Sequence, residues 1–213
     1  MAYGGIQFHV SGWAGAITIT EGSDSFTVTP NATASPWETA SALVVGATSA
    51  CSSTYSFSVS NVGILTVTST GTFDLSMSAT VQGLFNFSAA SYSGVSSVST
   101  TTAPDGSFFP YDDGDGVLFT RRIRAPLNQG FEVYDGGRWA NTPGTRHKFP
   151  ILSVSCLRSK VEEFMDAAQL VGTPSKVDVI DSGAVVSLHL GTITINEQDA
   201  TSGWTRIGLE VVE

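Results

Sequence analysis

The chain has 213 residues, of which 41% are hydrophobic and 14% charged, and its formal net charge is −9 at pH 7. The charged fraction is low against the roughly 25% of an average soluble domain, and the many Gly, Ser and Thr residues are typical of β-rich domains with short turns. No apolar run is long enough to predict a membrane span, and residues 1–12 lack the basic region and apolar core of a signal peptide.

The charges are distributed unevenly along the chain. Residues 1–120 contain eight acidic residues and no Lys or Arg, whereas residues 121–213 carry all ten basic residues and eleven acidic ones. A step of this kind marks differently built segments. We therefore predict an N-terminal β-rich domain over residues 1–104, a Pro- and Gly-rich connecting arm over 105–145 and a C-terminal domain over 146–213. A lysine-free acidic domain disfavours nucleic acid as a partner, because neutralising phosphates requires cations.

The N-terminal segment is predicted to contain one main helix, over residues 35–50. Ser35 can cap it, Pro36 fits its first turn and Glu38 stands three residues after the cap. Its apolar face consists of Trp37, Ala40, Val44 and Ala47. Alternation of apolar and polar residues predicts strands at Ile17–Thr20, Ser25–Thr29, Tyr55–Ser60, Ile64–Ser69, Thr72–Met77 and Tyr92–Thr102. Turns are predicted at Glu21–Asp24, Asn61–Gly63 and Thr70-Gly71, and about one helical turn is predicted at Gln82–Phe87.

The C-terminal segment is predicted to form a strand, a helix and three more strands, a complete α+β unit. Ser159 and Glu162 have the spacing of a capping box at the start of the helix. The apolar face of the helix consists of Val161, Phe164, Met165 and Ala168, and we predict that Phe164 and Met165 pack against the final sheet. The strands are predicted at Lys148–Ser155, Lys176–Ile180, Ala184–Ile195 and Trp204–Val212. The predicted fold class is thus α+β, mainly β, with two small antiparallel sandwich- or barrel-like domains that each have one flanking helix.

The connecting arm carries neighbouring blocks of opposite charge, which can pair across a subunit boundary. The candidate interface residues are Asp112, Asp113 and Asp115 in the acidic block and Arg121, Arg122 and Arg124 in the basic block. A solvated turn beside a solvated strand end is the plainer interpretation, because exposed charges contribute little. Clustered carboxylates also suit calcium, but Val117 stands where an EF-hand loop requires a ligand, so we predict no metal site.

No pattern in the sequence indicates an enzyme or a cofactor. His9, His147 and His189 are scattered without zinc-ligand spacing, and no nucleophile elbow, P-loop or dinucleotide motif occurs. A Ser/His/Asp triad stays open only because a serine-rich chain contains its parts. Glu162 and Glu163 are adjacent on a helix, about 100° apart, and the cap explains Glu162 better than a glycosidase pair.

Two further residue classes bear on function. Trp13 and Trp139 lie in Gly-rich stretches and are the candidate exposed aromatics, which a sugar-binding module would use as a platform. Cys51 and Cys156 belong to no C-x-x-C pattern, and we predict two buried, reduced thiols rather than a disulfide.

The order of these elements resembles that of known viral proteins. Residues 15–100, with their Pro-initiated helix, alternating strands and closing Leu84, Phe85 and Phe87, resemble a module of structural proteins of tailed bacteriophages and other large DNA viruses. Residues 117–213 resemble phage tail-tube and distal-tail domains, in which a β-sandwich or barrel with one flanking helix builds stacked rings. The matching features there are Phe131–Gly137, His147–Ser155, the helix from Ser159 and the ending Ile207–Glu213.

The resemblance implies a non-enzymatic structural component of a tailed phage virion, most simply a tail or tail-tip/adaptor protein. It would assemble in the host bacterial cytoplasm into a symmetric ring. Its partners would be copies of itself and other virion proteins, with neither nucleic acid nor membrane as a partner and with no cofactor. A capsid decoration protein and a carbohydrate-binding adhesin remain the alternatives.

Overall fold

The structure is a computed structural model that describes eleven ranges of the chain. They are residues 5–9, 15–30, 35–109, 118–123, 132–135, 138–141, 151–157, 159–170, 176–181, 184–199 and 204–212. Within them the fold is mainly β and of the α+β class, as predicted, with three helices and antiparallel strand pairing. No closed barrel forms among these residues, so the barrel-like alternative is wrong for this part of the chain.

The helices are α1 (Pro36–Ala50), α2 (Ala79–Phe85) and α3 (Ser159–Leu170). The strands are β1 (Ile6–Phe8), β2 (Ile17–Glu21), β3 (Asp24–Val28), β4 (Tyr55–Val59), β5 (Leu65–Met77), β6 (Ser91–Ser99), β7 (Ser107–Phe108), β8 (Leu118–Ile123), β9 (Glu132–Asp135), β10 (Arg138–Asn141), β11 (Ile151–Leu157), β12 (Lys176–Asp181), β13 (Ala184–Asp199) and β14 (Trp204–Val212). No helix among the described residues is both long and apolar enough to cross a membrane.

The strands form two main sheets and a separate hairpin. The N-terminal sheet has the order β3-β2-β5-β4, with β6 also paired to β5. The C-terminal sheet has the order β7-β1-β12-β13-β14-β11-β8, and β9 pairs with β10. Each main sheet has its own cluster of buried apolar side chains, one with α1 and α2 and the other with α3.

Helix α1 begins where its sequence signals predict. The Ser35 hydroxyl accepts a hydrogen bond from the Glu38 backbone N–H at 3.0 Å, and Pro36 occupies the first turn, where its missing N–H costs nothing. The predicted apolar face is buried, and Leu43 lies with it in the core of the N-terminal sheet. The prediction of this helix and of its buried face is confirmed.

The predicted turn at Thr70-Gly71 is wrong, because β5 runs through it as one strand of 13 residues. The first half of β5 pairs with β4 and its second half pairs with β2 on the same side, so one strand has two neighbours that lie end to end along it. Its pairing with β6 shifts register between Thr68 and Phe73, which places an irregularity around the glycine. A Cβ on Gly71 would lie 2.3 Å from the Ser53 hydroxyl, so close approach, not a turn, requires glycine there.

The single helical turn predicted at Gln82–Phe87 overlaps the second half of a longer helix, which begins earlier and ends at Phe85. Helix α2 has seven residues, is capped by Ser78 and ends at Asn86 in the left-handed conformation, with φ 62°. Val81 and Phe85 are buried in the core of the N-terminal sheet. This sheet therefore has two helices beside it, not the one that was predicted.

The C-terminal sheet contains the predicted strands and three that come from earlier in the chain. Strand β14 has the predicted bounds, and β12 and β13 begin where predicted. Strand β1, however, lies between β12 and β7, so residues assigned to the N-terminal domain complete this sheet. The connecting arm supplies both outer strands, β7 and β8. The division of the chain at residues 104 and 145 into folding domains stays a prediction.

Helix α3 packs on this sheet through the predicted face. Phe164 is 0% exposed, and its ring contacts the rings of Phe8 and Phe108 edge-on, at centroid distances of 5.5 Å and 5.2 Å. Ile207 and Leu209 of β14 belong to the same cluster. The prediction that Phe164 faces the final sheet is confirmed, and two of its main neighbours come from the lysine-free part of the sequence.

Candidate functional site

Three of the predicted site residues lie within the part of the chain that the structure describes. Arg121 and Arg122 lie on β8, the outer strand of the C-terminal sheet, and Trp139 lies on β10, opposite Tyr134 of β9. The other candidates lie outside the described residues. These are Asp112, Asp113, Asp115, Arg124 and Trp13. The pairing of the two charge blocks therefore stays a prediction.

A buried polar cluster joins the two halves of the molecule around Asp178 of β12, whose side chain is fully buried. Its Oδ1 lies 2.7 Å from His9 Nε2 and accepts a hydrogen bond from the Ser187 hydroxyl at 2.5 Å. Its Oδ2 accepts a hydrogen bond from the Ser35 hydroxyl. We call these four residues the Asp178 cluster. A buried carboxylate is stable only when it is hydrogen-bonded in this way.

The residues of the cluster come from three distant parts of the sequence. His9 follows the short strand β1, Asp178 and Ser187 oppose each other on the paired strands β12 and β13, and Ser35 caps α1. The Ser35 oxygen accepts from the Glu38 N–H while its proton goes to Asp178. The carboxylate thus lies near the positive end of α1, where a negative charge is favoured.

The cluster contains a serine, a histidine and an aspartate, but not in the order that a hydrolase requires. In a catalytic triad the histidine lies between the two others, so that it can take the proton from the serine hydroxyl. Here Asp178 lies between Ser35 and His9, and it bonds both. Ser35 is also fully buried and acts as a helix cap. The arrangement does not activate Ser35 as a nucleophile.

The same place contains residues of the types that bind metal ions. Single ligand atoms of His9, Glu38 and Asp178 lie within 4.8 Å of one another. Both oxygens of Asp178 already accept hydrogen bonds from three side chains. The positive end of α1 also disfavours a cation at this point. These residues therefore fit a hydrogen-bonded connection better than a metal centre.

A second buried polar residue holds β1 in the C-terminal sheet. The Gln7 side chain is fully buried, donates to the Asp105 carbonyl at 2.6 Å and accepts from the Ser107 hydroxyl at 2.5 Å. The polar atoms of the Gln7 side chain thus have hydrogen-bond partners in the interior, and His9, the next residue after β1, has Asp178. These bonds hold β1 between β7 and β12.

A cavity of about 280 Å³ lies close to this strand. Its lining includes Val62 from the turn between β4 and β5, Phe108 of β7 with the following Phe109, and Lys160 and Glu163 from α3. The Lys160 ammonium binds the Glu163 carboxylate at 2.9 Å and 3.0 Å. The lysine is therefore neutralised by its own helix, which leaves little net charge to attract an anionic ligand.

The pKa values of Glu21, at the end of β2, and Tyr55, at the start of β4, are strongly shifted. The Ser53 hydroxyl, followed by the bonds from Ser52, the Ser53 N–H and Tyr55, lowers the pKa of Glu21 to about 2. Burial and the neighbouring Glu21 raise the pKa of Tyr55 to about 12. These bonds tie the end of β2 to the start of β4, so the network has a structural explanation.

Sequence reasoning missed the Asp178 cluster, although one signal was present. Val177 and Val179 flank Asp178, and all three are buried, so β12 is covered on both faces. A carboxylate inside such a strand needs a partner, but the sequence does not show that His9 supplies it from 169 positions away.

No protein-family model matches the chain, and neither a curated protein nor a solved structure matches it significantly.

Proposed function

We propose that the protein is a non-enzymatic structural component of a tailed phage virion, in the tail or at its tip or adaptor, and that it assembles into a symmetric ring. The resemblance of residues 15–100 and 117–213 to phage modules motivates this proposal. Its physical support is that Arg121 and Arg122, two residues of the predicted interface, lie on β8 at an edge of the C-terminal sheet.

The position of β8 is the observation that carries the proposal. Its six residues form the outer strand, paired on one side with β11 and, among the described residues, with no strand on the other. The free side of an edge strand presents N–H and C=O groups that can pair with another chain. Arg121 and Arg122 stand on this strand, where cations can meet an acidic surface of a neighbour and fix its register.

The hairpin β9–β10 is consistent with the same role. It pairs within itself and with no other described strand. An isolated two-stranded hairpin is at best marginally stable in water, so its apolar residues need a further surface to pack on. A neighbouring subunit in a ring would provide one.

We further propose that the two sheets act as separate sandwich-like modules. Their two distinct apolar clusters support this architecture. The Asp178 cluster would then hold the modules in a fixed relation, since Ser35 belongs to one and Asp178 to the other.

The experiment replaces Arg121, Arg122 and Arg124 with Ser in one variant. We expect the fold to survive, since no apolar core is altered, and assembly to fail or become strongly salt-sensitive. Sedimentation velocity and electron microscopy at low and high salt measure this, and Lys176→Ser is a control that removes a cation from an inner strand. A triple variant that assembles like the wild type at both salt concentrations would contradict the proposal.

One alternative is favoured by a specific observation. Trp139 and Tyr134 are directly opposite in the β9–β10 ladder. Two neighbouring aromatic rings are a suitable platform for a sugar. If the protein is a carbohydrate-binding adhesin, Trp139→Ala or Trp13→Ala should abolish glycan binding while the arginine variant still assembles.

A further inference from the structure

Strand β6 is a long, open edge of the N-terminal sheet. It spans nine residues, Ser91–Ser99, and pairs with β5 on one side only. No other described strand pairs with it. Its sequence, SYSGVSSVS, contains no charged residue and no proline.

Such an edge is unusual for a protein that stays monomeric. Native edge strands are commonly blunted by lysine, by proline or by a covering element, because a bare edge is a template for another strand. The edge strand β3, in contrast, begins with Asp24. Pairing is limited around Gly94, which has φ 63°, because the register of β6 is irregular there and the Gly94 N–H already donates to the Asp74 carboxylate at 2.7 Å.

The hydrogen-bond pattern shows which groups are presented to a partner. The Thr100 N–H donates to the Leu65 carbonyl of β5 at 2.9 Å. Successive residues of an antiparallel strand bond alternately to one side and the other, so the N–H groups of Ser97 and Ser99 point away from β5. The Thr101 N–H is taken by the Asn86 carbonyl at 2.8 Å, which ends the open stretch after Ser99.

We propose that the β6 edge pairs with the β6 edge of a second copy of this chain, in antiparallel orientation, and so continues the N-terminal sheet across the contact. Two observations select a second copy. The Asp74 carboxylate of β5 bonds Ser93 and Gly94 in the first half of the strand. The second half, residues 95–99, carries no charged residue, so two copies can approach there without like-charge repulsion, although the whole chain carries a net charge of −9.

The second observation is that hydroxyl groups already pair across strands on the exposed face of this sheet. Three such pairs have oxygen–oxygen distances of 2.8 Å. They are Thr18–Thr27, Ser56–Thr68 and Thr66–Ser99. The exposed serines of β6 can continue this ladder with the same residues of another copy. The contact deepens the proposed assembly role, on which it rests, and uses a different edge from that of β8.

The test adds charge to the edge and keeps the backbone pairing with β5, although it removes the exposed hydroxyl bond between Thr66 and Ser99. The variant Ser97→Lys/Ser99→Lys places two cations on β6, and Ala42→Lys/Ser49→Lys places two on exposed positions of α1 as a matched control. Sedimentation velocity over a concentration series measures self-association of the full chain. We expect the wild type and the control to associate and the edge variant to show a dissociation constant at least tenfold higher.

Hydrogen exchange of the wild type gives a readout that does not depend on how the variants fold. The amides of Ser97 and Ser99 should gain protection as the protein concentration rises. A wild type that shows no concentration-dependent protection there, or an edge variant that associates as tightly as the control, would overturn this inference. If the edge variant associates normally while the arginine variant does not, the proposed function stands and the β6 contact is wrong.

Discussion

Replacing Asp178 with Ala is the sharpest test of the connection between the two sheets. The carboxylate accepts hydrogen bonds from His9, Ser35 and Ser187, and all are lost in the variant. Ser187 is exposed and can bond to water instead, whereas His9 and Ser35 are buried. The substitution therefore takes the acceptor from the buried Ser35 hydroxyl proton and removes one partner of the buried His9 ring.

The expected loss follows from those two groups. A buried donor left without an acceptor costs about 1–3 kcal/mol, and the Ser35 hydroxyl alone gives a loss of this size, before any contribution from the His9 contact or from lost packing. Small domains unfold with a free energy of about 5–15 kcal/mol, so the variant should lose a large part of its stability. Asp178→Asn retains an acceptor oxygen at the same place and should lose less.

Urea unfolding followed by circular dichroism measures the free energy of unfolding for each variant. Asp166→Ala is the control, since it removes an exposed carboxylate from α3. If Asp178→Ala is no less stable than Asp166→Ala, the Asp178 cluster does not hold the sheets together and the reasoning above is refuted. A destabilised variant that regains stability when His9 is also replaced by Leu would show that the lost contact between Asp178 and His9 is the cause.

Two further predictions concern the core of the C-terminal sheet and the hydrogen bonds of Glu21 between β2 and β4. Phe164→Ala should lower the free energy of unfolding by about 3–5 kcal/mol, because the ring is fully buried between Phe8 and Phe108; an unchanged melting temperature would show that α3 packs elsewhere. The Glu21 carboxylate should titrate near 2 by NMR, below its ordinary value of 4.5. Because the folded pKa is lowered, its contribution to stability is present above about 4.5 and is lost as pH falls towards 2. A Glu21 titration midpoint near 4.5 would mean that the bonds from Ser53 do not form.

The elements that could be predicted from the sequence are those whose signals are local. Helix α1 combines a cap, a proline and an apolar face within one stretch, and it forms as predicted. Helix α3 and strand β14 likewise have a clear period of 3.6 or 2, and they lie at the predicted positions. In these cases propensity, capping and burial all favour the same structure.

The elements that could not be predicted depend on contacts between distant residues. Strand β1 has three residues, too few for any periodicity, and its partners lie near positions 107 and 178. Gly71 resembles a turn residue in the sequence, because glycine serves both turns and close backbone approach. Only the position of Ser53 shows that the second reason applies.

The charge step along the sequence and the division between the sheets do not coincide, and the reason lies in what each requires. A sheet needs strands that fit in shape and register, and β1 and β7 supply them from the lysine-free part of the chain. The charge on those strands is irrelevant inside the sheet, because their residues there are apolar or hydrogen-bonded, as Gln7 is. The composition of a segment therefore indicates the charge of its surface, whereas packing and hydrogen bonding in the interior determine which sheet a strand joins. The lysine-free segment thus contributes an uncharged open edge at β6 and, through β1, a link to the Asp178 cluster. If β6 pairs between copies, the Asp178 cluster is the connection through which that contact would orient the basic edge at β8.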